Sequence, residues 1–185
     1  MCAARQDGLD GRPVQATNGD VGVLTAAIQS LDTPERRKKA LLRNIWRPGR
    51  FNVLLDRFSR PAPPPPLPPA EDVVHVGLRT RKDIAARLAL LAEEAKTPPL
   101  SEADLSRLRA LEAIEDTAPQ AVAALSELGE AASAARLSDT LDAIAGQGVD
   151  PSGLRFQASF GLTSLEYYSG FVFGFTAPGH APVAT

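Results

Sequence analysis

The spacing of apolar residues changes twice along this 185-residue chain, and each change marks a different kind of structure. Residues 1–13 mix Gly, Asp and Arg without periodicity and are expected to fray. Val14 to Thr17 suit a short strand, and Asn18-Gly19-Asp20 is a turn signal able to cap a following helix. In that helix Val23, Ala26, Ala27 and Leu31 share one face. Thr33-Pro34 predicts a second helix start, with threonine as N-cap and proline at the first helical position. Its stripe is Leu41, Leu42, Ile45 and Trp46, and Pro48-Gly49 is expected to end it. Phe51, Leu54, Leu55 and Phe58 then predict a further short helix.

Pro61 to Pro69 holds seven of the 16 prolines. So many missing N–H donors favour extended polyproline II geometry, and the run reads as a stiff spacer. Asp72 to Gly77 (DVVHVG) predicts a short buried strand. From Thr80 to Gly146 the period is helical throughout. Capping-box patterns stand at Thr80…Asp83, Ser101…Asp104 and Thr117…Gln120. The stripes that follow are Ile84, Leu88, Leu91 and Ala95; Leu105, Leu108 and Leu111; Val122, Leu125 and Leu128; and Leu137, Leu141 and Ile144. Gly146 and Gly148 stop the last helix.

Near the carboxyl end the period falls to two. Leu154 and Phe156 fit one strand, and Leu165 to Phe175 fits another. In the second, Leu165, Tyr167, Phe171, Phe173 and Phe175 fall on one face; Glu166, Tyr168, Gly170, Val172 and Gly174 fall on the other. The pattern predicts an α+β chain. Sheet-forming pieces at 1–60 and 149–185 flank a helical block at 80–148, with the proline-rich linker and short strand at 61–79.

Composition narrows the function classes. A net charge of −2 gives no global field toward nucleic acid or an anionic membrane. Cys2 is the single cysteine, which fits a reducing cytoplasm. No stretch approaches the ~20 apolar residues that a spanning helix needs, and the N-terminus carries charges where a signal peptide would have its apolar core. Aromatic residues make up only 5% of the chain, and its last long apolar segment runs almost into the terminus. A strand so placed, with few others to pair with, predicts an internal piece of a larger domain.

Few residues suggest chemistry. His75 and His180 have no second histidine or cysteine at ligand spacing, so no metal site is expected. No phosphate-loop, zincin, hydrolase-elbow or CxxC pattern occurs, and no cofactor is called for. Arg36, Lys39 and Arg43 form a basic stripe, with Arg37, Lys38, Arg47 and Arg50 nearby; it suits contact with RNA or an acidic partner, but such a stripe is more often the solvated side of an amphipathic helix. The last strand carries more. Glycines in a strand often mark a close ligand approach. Gly170 and Gly174 share a face with a carboxylate, Glu166, and a phenol, Tyr168, so that face suits a small zwitterion bearing a ring. A strand with one crowded and one loose face fits the same residues.

The segment FGLTSLEYYSGFVFGF from Phe160 resembles the histidine-pocket strand of histidyl-tRNA synthetases, R-G-L-D-Y-Y-T-G-x-V-F-E. It is closer to their relatives, the regulatory subunits of ATP phosphoribosyltransferase, where L-E-Y-Y-x-G-F-V-F is common. Asn18 to Leu31 (NGDVGVLTAAIQSL) is similar to the family's G-D-x-G-L-F-x-A-L segment. The resemblance implies part of a class II aminoacyl-tRNA synthetase-like antiparallel sheet with a helical insertion. It further implies a non-catalytic role beside an ATP phosphoribosyltransferase catalytic subunit, with histidine as effector and Glu166, Tyr168 and Gly170 as ligand contacts. The synthetases' catalytic arginine aligns with Thr163, which has no cationic fork for phosphate or carboxylate oxygens. Nothing in the chain resembles motif 2 or the motif 3 arginine. A divergent histidyl-tRNA synthetase piece and an unrelated helical interaction module are the alternative readings.

Overall fold

Asp20 is where the chain turns from strand to helix, and the architecture follows from how that turn is held. The computed structural model describes residues 15–67, 80–161 and 170–176. Strand β1 (Gln15–Asp20) runs directly into helix α1 (Val21–Gln29). Asp20 is extended, and its carboxylate accepts the Gly22 N–H at 2.7 Å, capping one of the four N–H groups a helix start leaves unpaired. Helix α1 buries Val21, Val23, Leu24, Ala27 and Ile28.

Helices α2 (Glu35–Leu42) and α3 (Pro48–Phe58) follow, then α4 (Arg81–Lys96) and α5 (Glu102–Glu112). A short strand, β2 (Glu115–Thr117), leads into α6 (Ala118–Glu127) and α7 (Ala131–Gly146). Strands β3 (Arg155–Gln157) and β4 (Phe171–Thr176) complete the described elements. The sheet order is β2-β3-β1-β4. Strands β2/β3 and β1/β4 pair antiparallel, the latter from Gln15 opposite Thr176 to Asp20 opposite Phe171, while β1 and β3 run parallel.

The core lies where α1, α5, α6 and α7 meet the sheet. Leu105, Leu108, Leu111, Leu125 and Phe156 are almost wholly removed from water there. Each such side chain contributes roughly 1.5–3 kcal/mol relative to exposure.

Several expectations shift. Asn18-Gly19-Asp20 is the end of β1 rather than a turn. Gly19 is required there by crowding, since a Cβ would lie 2.7 Å from the Gln157 carbonyl and 2.9 Å from that of Phe160. Helix α2 ends at Leu42, and Pro48 opens α3 instead of closing its predecessor, because its fixed φ and missing N–H suit a first turn. The block expected to be helical from 80 to 146 contains β2, which joins the sheet through β3. Thr80 and Asp83 form the complete capping box, Ser101 accepts the Asp104 N–H, and Thr117 makes no such bond to the backbone. The strand expected at Asp72 to Gly77 lies outside the described residues.

The basic stripe also divides. Arg36, Lys39 and Arg43 are exposed, whereas Arg37 is buried. Its Nε donates to Glu94 Oε1 and its Nη1 to the Pro98 carbonyl, both at 2.7 Å, and its guanidinium lies 5.0 Å from the Phe58 ring centre. One side chain thus ties α2, α3 and the end of α4 together.

Candidate functional site

The strand-to-helix turn at Asp20 forms one wall of a cleft. The Asp20 carboxylate is held by two elements. Its own helix start supplies the Gly22 N–H, and α7 supplies Arg136, whose Nη2 donates to Asp20 Oδ2 at 3.1 Å. Beside it, the Val21 N–H donates to the Gly170 carbonyl at 3.0 Å, fastening the β4 end of the chain to the same turn. The buried Ser133 hydroxyl accepts a second bond from Arg136 Nη2, at 3.0 Å. Gly22 keeps the arrangement open, since a Cβ there would come within 2.8 Å of Asp20 Oδ1 and displace the capping carboxylate.

The cleft has a volume of about 410 Å³ and is lined by Asp20, Gly22, Arg136, Leu137, Asp139, Thr140, Gly170 and Phe171. One cation, two carboxylates, an apolar wall and an aromatic ring therefore share a single concavity. Such a mixture suits a small molecule with separated charges better than a bare anion, which Asp139 would repel. Along the same sheet face as Asp20, Phe171, Phe173 and Phe175 stay partly exposed, with the last two rings packed edge to face at 6.0 Å. Val172 and Gly174, on the opposite face, are buried.

Of the residues named from sequence, Gly170 lines the cleft, and a Cβ there would meet nothing within 4 Å. Glu166, Tyr168 and Thr163 lie outside the described residues, as do His75 and His180. Asp20 was legible as a cap; its partner Arg136, 116 residues away, was not. Asn18 was missed as well. It is wholly buried in β1, and among the described residues neither its Nδ2 nor its Oδ1 finds a partner, a loss of about 1–3 kcal/mol.

A second concavity, about 380 Å³ between α5 and α6, carries Glu115, Asp116 and Glu127 but no cation. Among the described residues no group of three His, Cys, Asp or Glu side chains is placed to hold a metal. None of the described helices is long and apolar enough to cross a membrane.

Searches of protein families and of curated proteins return no match to this sequence. The structure is similar to the crystal structure of an ATP phosphoribosyltransferase regulatory subunit/histidyl-tRNA synthetase from Bacillus halodurans C. The TM-score is 0.54 at 15% identity, and the likeness covers 91% of this chain and 35% of that one. The chain spans about a third of the length of the protein it resembles. At that identity the likeness shows the fold: an α+β architecture shared with a portion of a histidyl-tRNA synthetase-like protein.

Proposed function

We propose that the chain serves a non-catalytic regulatory subunit of ATP phosphoribosyltransferase, supporting the first step of histidine biosynthesis and its feedback by histidine. The observation that carries this reading is the coincidence of two independent likenesses. The fold resembles part of a regulatory subunit/histidyl-tRNA synthetase structure, and the motif L-E-Y-Y-S-G-F-V-F from Leu165 reads like the pocket strand of the same proteins. Thr163, where the synthetases place an arginine, favours regulation over amino-acid activation.

In this reading residues 1–60 and 149–185 belong to the synthetase-like core, 61–79 are a linker, and 80–148 are a helical insertion. The partner is the catalytic subunit, in the cytoplasm, and Glu166, Tyr168 and Gly170 contact histidine. Feedback is then a coupling free energy: histidine binds one arrangement of the assembly more tightly and shifts its population. A tenfold preference corresponds to about 1.4 kcal/mol.

The test mixes the full chain with a short-form ATP phosphoribosyltransferase. Sedimentation should show a mixed complex, and condensation of ATP with phosphoribosyl pyrophosphate should accelerate and become histidine-sensitive. Two proteins that sediment apart with an unchanged rate would overturn the proposal. Calorimetry on Glu166→Ala and Tyr168→Ala tests the contacts, with histidine affinity expected to fall at least tenfold.

A further inference from the structure

Residues 61–67 form neither helix nor strand, yet their exposure follows a pattern. Ala62 and Pro65 are partly covered, whereas Pro61, Pro63, Pro64, Pro66 and Leu67 are exposed. Neighbouring prolines shade one another alike, so a run hanging free between α3 and α4 would show no such phase. An interval of three is one turn of polyproline II, the geometry that a fixed φ and a missing N–H already favour. One edge of this helix therefore rests on the molecule. The other two, Pro63-Pro66 and Pro61-Pro64-Leu67, face water.

We propose that this segment is a docking ligand, presented to a partner domain whose aromatic-lined groove takes polyproline II and whose rim carries a carboxylate for Arg60. A helix with three residues per turn is a triangular prism, and a groove meets two of its edges. Those are the two edges left in water here, so the third stays where it is when the partner arrives. Arg60, three residues before Pro63, continues one of the outward edges and is itself exposed. From Arg60 to Leu67 the segment spans about 22 Å, a little over two turns.

Two further observations separate a ligand from a bare spacer. Leu67 is 90% exposed, the most of any large apolar side chain among the described residues, and a groove would take that surface out of water. The start of the segment is also fixed in place. Phe58, at the end of α3, is buried, and its carbonyl accepts the Leu100 N–H at 2.9 Å. The edges are thus aimed before any partner binds, and a preformed polyproline II helix loses little entropy on docking.

This proposal is independent of the regulatory reading, since it uses neither the cleft nor the pocket motif. Isolated SH3, WW and EVH1 domains, whose grooves take proline-rich segments, serve as probes and are titrated calorimetrically into the full chain. At least one should bind tighter than about 1 mM. The double variant Pro63→Ala with Pro64→Ala alters both outward edges and should weaken that binding at least tenfold. Pro65→Ala, on the covered edge, should change it less than threefold. Arg60→Glu should weaken it several-fold at low salt and less at high salt. Circular dichroism of each variant should match the parent. No binding by any of the probes, or equal losses in Pro65→Ala and the double variant, would leave the segment a spacer and overturns the proposal. Unchanged affinity in Arg60→Glu overturns the acidic rim.

Discussion

Helices α4 and α5 carry stripes of similar quality in sequence yet have opposite fates. In α5, Leu105, Leu108 and Leu111 are each no more than 1% exposed. In α4, Ile84, Leu88 and Leu91 are only half buried, Leu90 stands 49% exposed, and Glu94 is the one buried residue. Helix α5 is held by apolar packing against α1. Helix α4 is tethered by polar contacts, the Arg37–Glu94 pair and a bond from Arg36 Nη1 to the Leu90 carbonyl at 3.2 Å. A leucine stripe shows that a helix has a face to bury. It does not say how much of that face finds a partner.

Breaking the tether should give the largest effect. Arg37→Met leaves Glu94 in a largely buried place without its cation, and such losses cost roughly 3–5 kcal/mol. Chemical denaturation should show it, and the double variant with Glu94→Leu should recover much of the loss. Next comes Leu108→Ala at about 3 kcal/mol, from lost transfer energy and the cavity left behind. The matched change in α4, Leu88→Ala, should cost under about 1 kcal/mol, since half-buried methylenes have less to lose. If these two variants proved equally destabilised, the contrast between the helices would be wrong.

A capping change comes next in size. Ser101→Ala removes the side chain that accepts the Asp104 N–H at 3.0 Å and should cost about 1 kcal/mol. The smallest effect concerns Glu112 in the last turn of α5. Burial raises its pKa above the ordinary 4.5, partly opposed by a hydrogen bond from Asn52. A carboxyl whose folded pKa is raised favours the folded state while protonated. Its contribution is complete below 4.5 and is lost as pH rises through the folded value. Glu112→Gln should therefore flatten the stability profile just above pH 4.5, as read by thermal melts at stepped pH.

Much of the fold was legible because local rules sufficed for it. The α1 turn follows from Asp20, the start of α4 from Thr80 with Asp83, and the strand period from the alternating phenylalanines. Of the candidate site, Asp20 was legible as a cap and Gly170 as a glycine in an alternating run, although in the structure Gly170 sits just before β4 rather than within it. Strand β2 escaped because Glu-Asp-Thr has little strand character and exists only through its pairing with β3. Arg37 escaped too, because an arginine beside Arg36 and Lys38 gives no sign that one of them points inward.

By itself the sequence determined the helices, their starts and the alternating ribbon near the carboxyl end. These depend on residues within about one turn of one another, where capping and side-chain spacing act. Only the tertiary structure decided which stripe became core, which of several adjacent cations went inside, and that Arg136 meets Asp20 beside Gly170. Those outcomes depend on contacts between residues 57 and 116 positions apart. Desolvation and ion pairing are set there by the surroundings, and no local pattern encodes them.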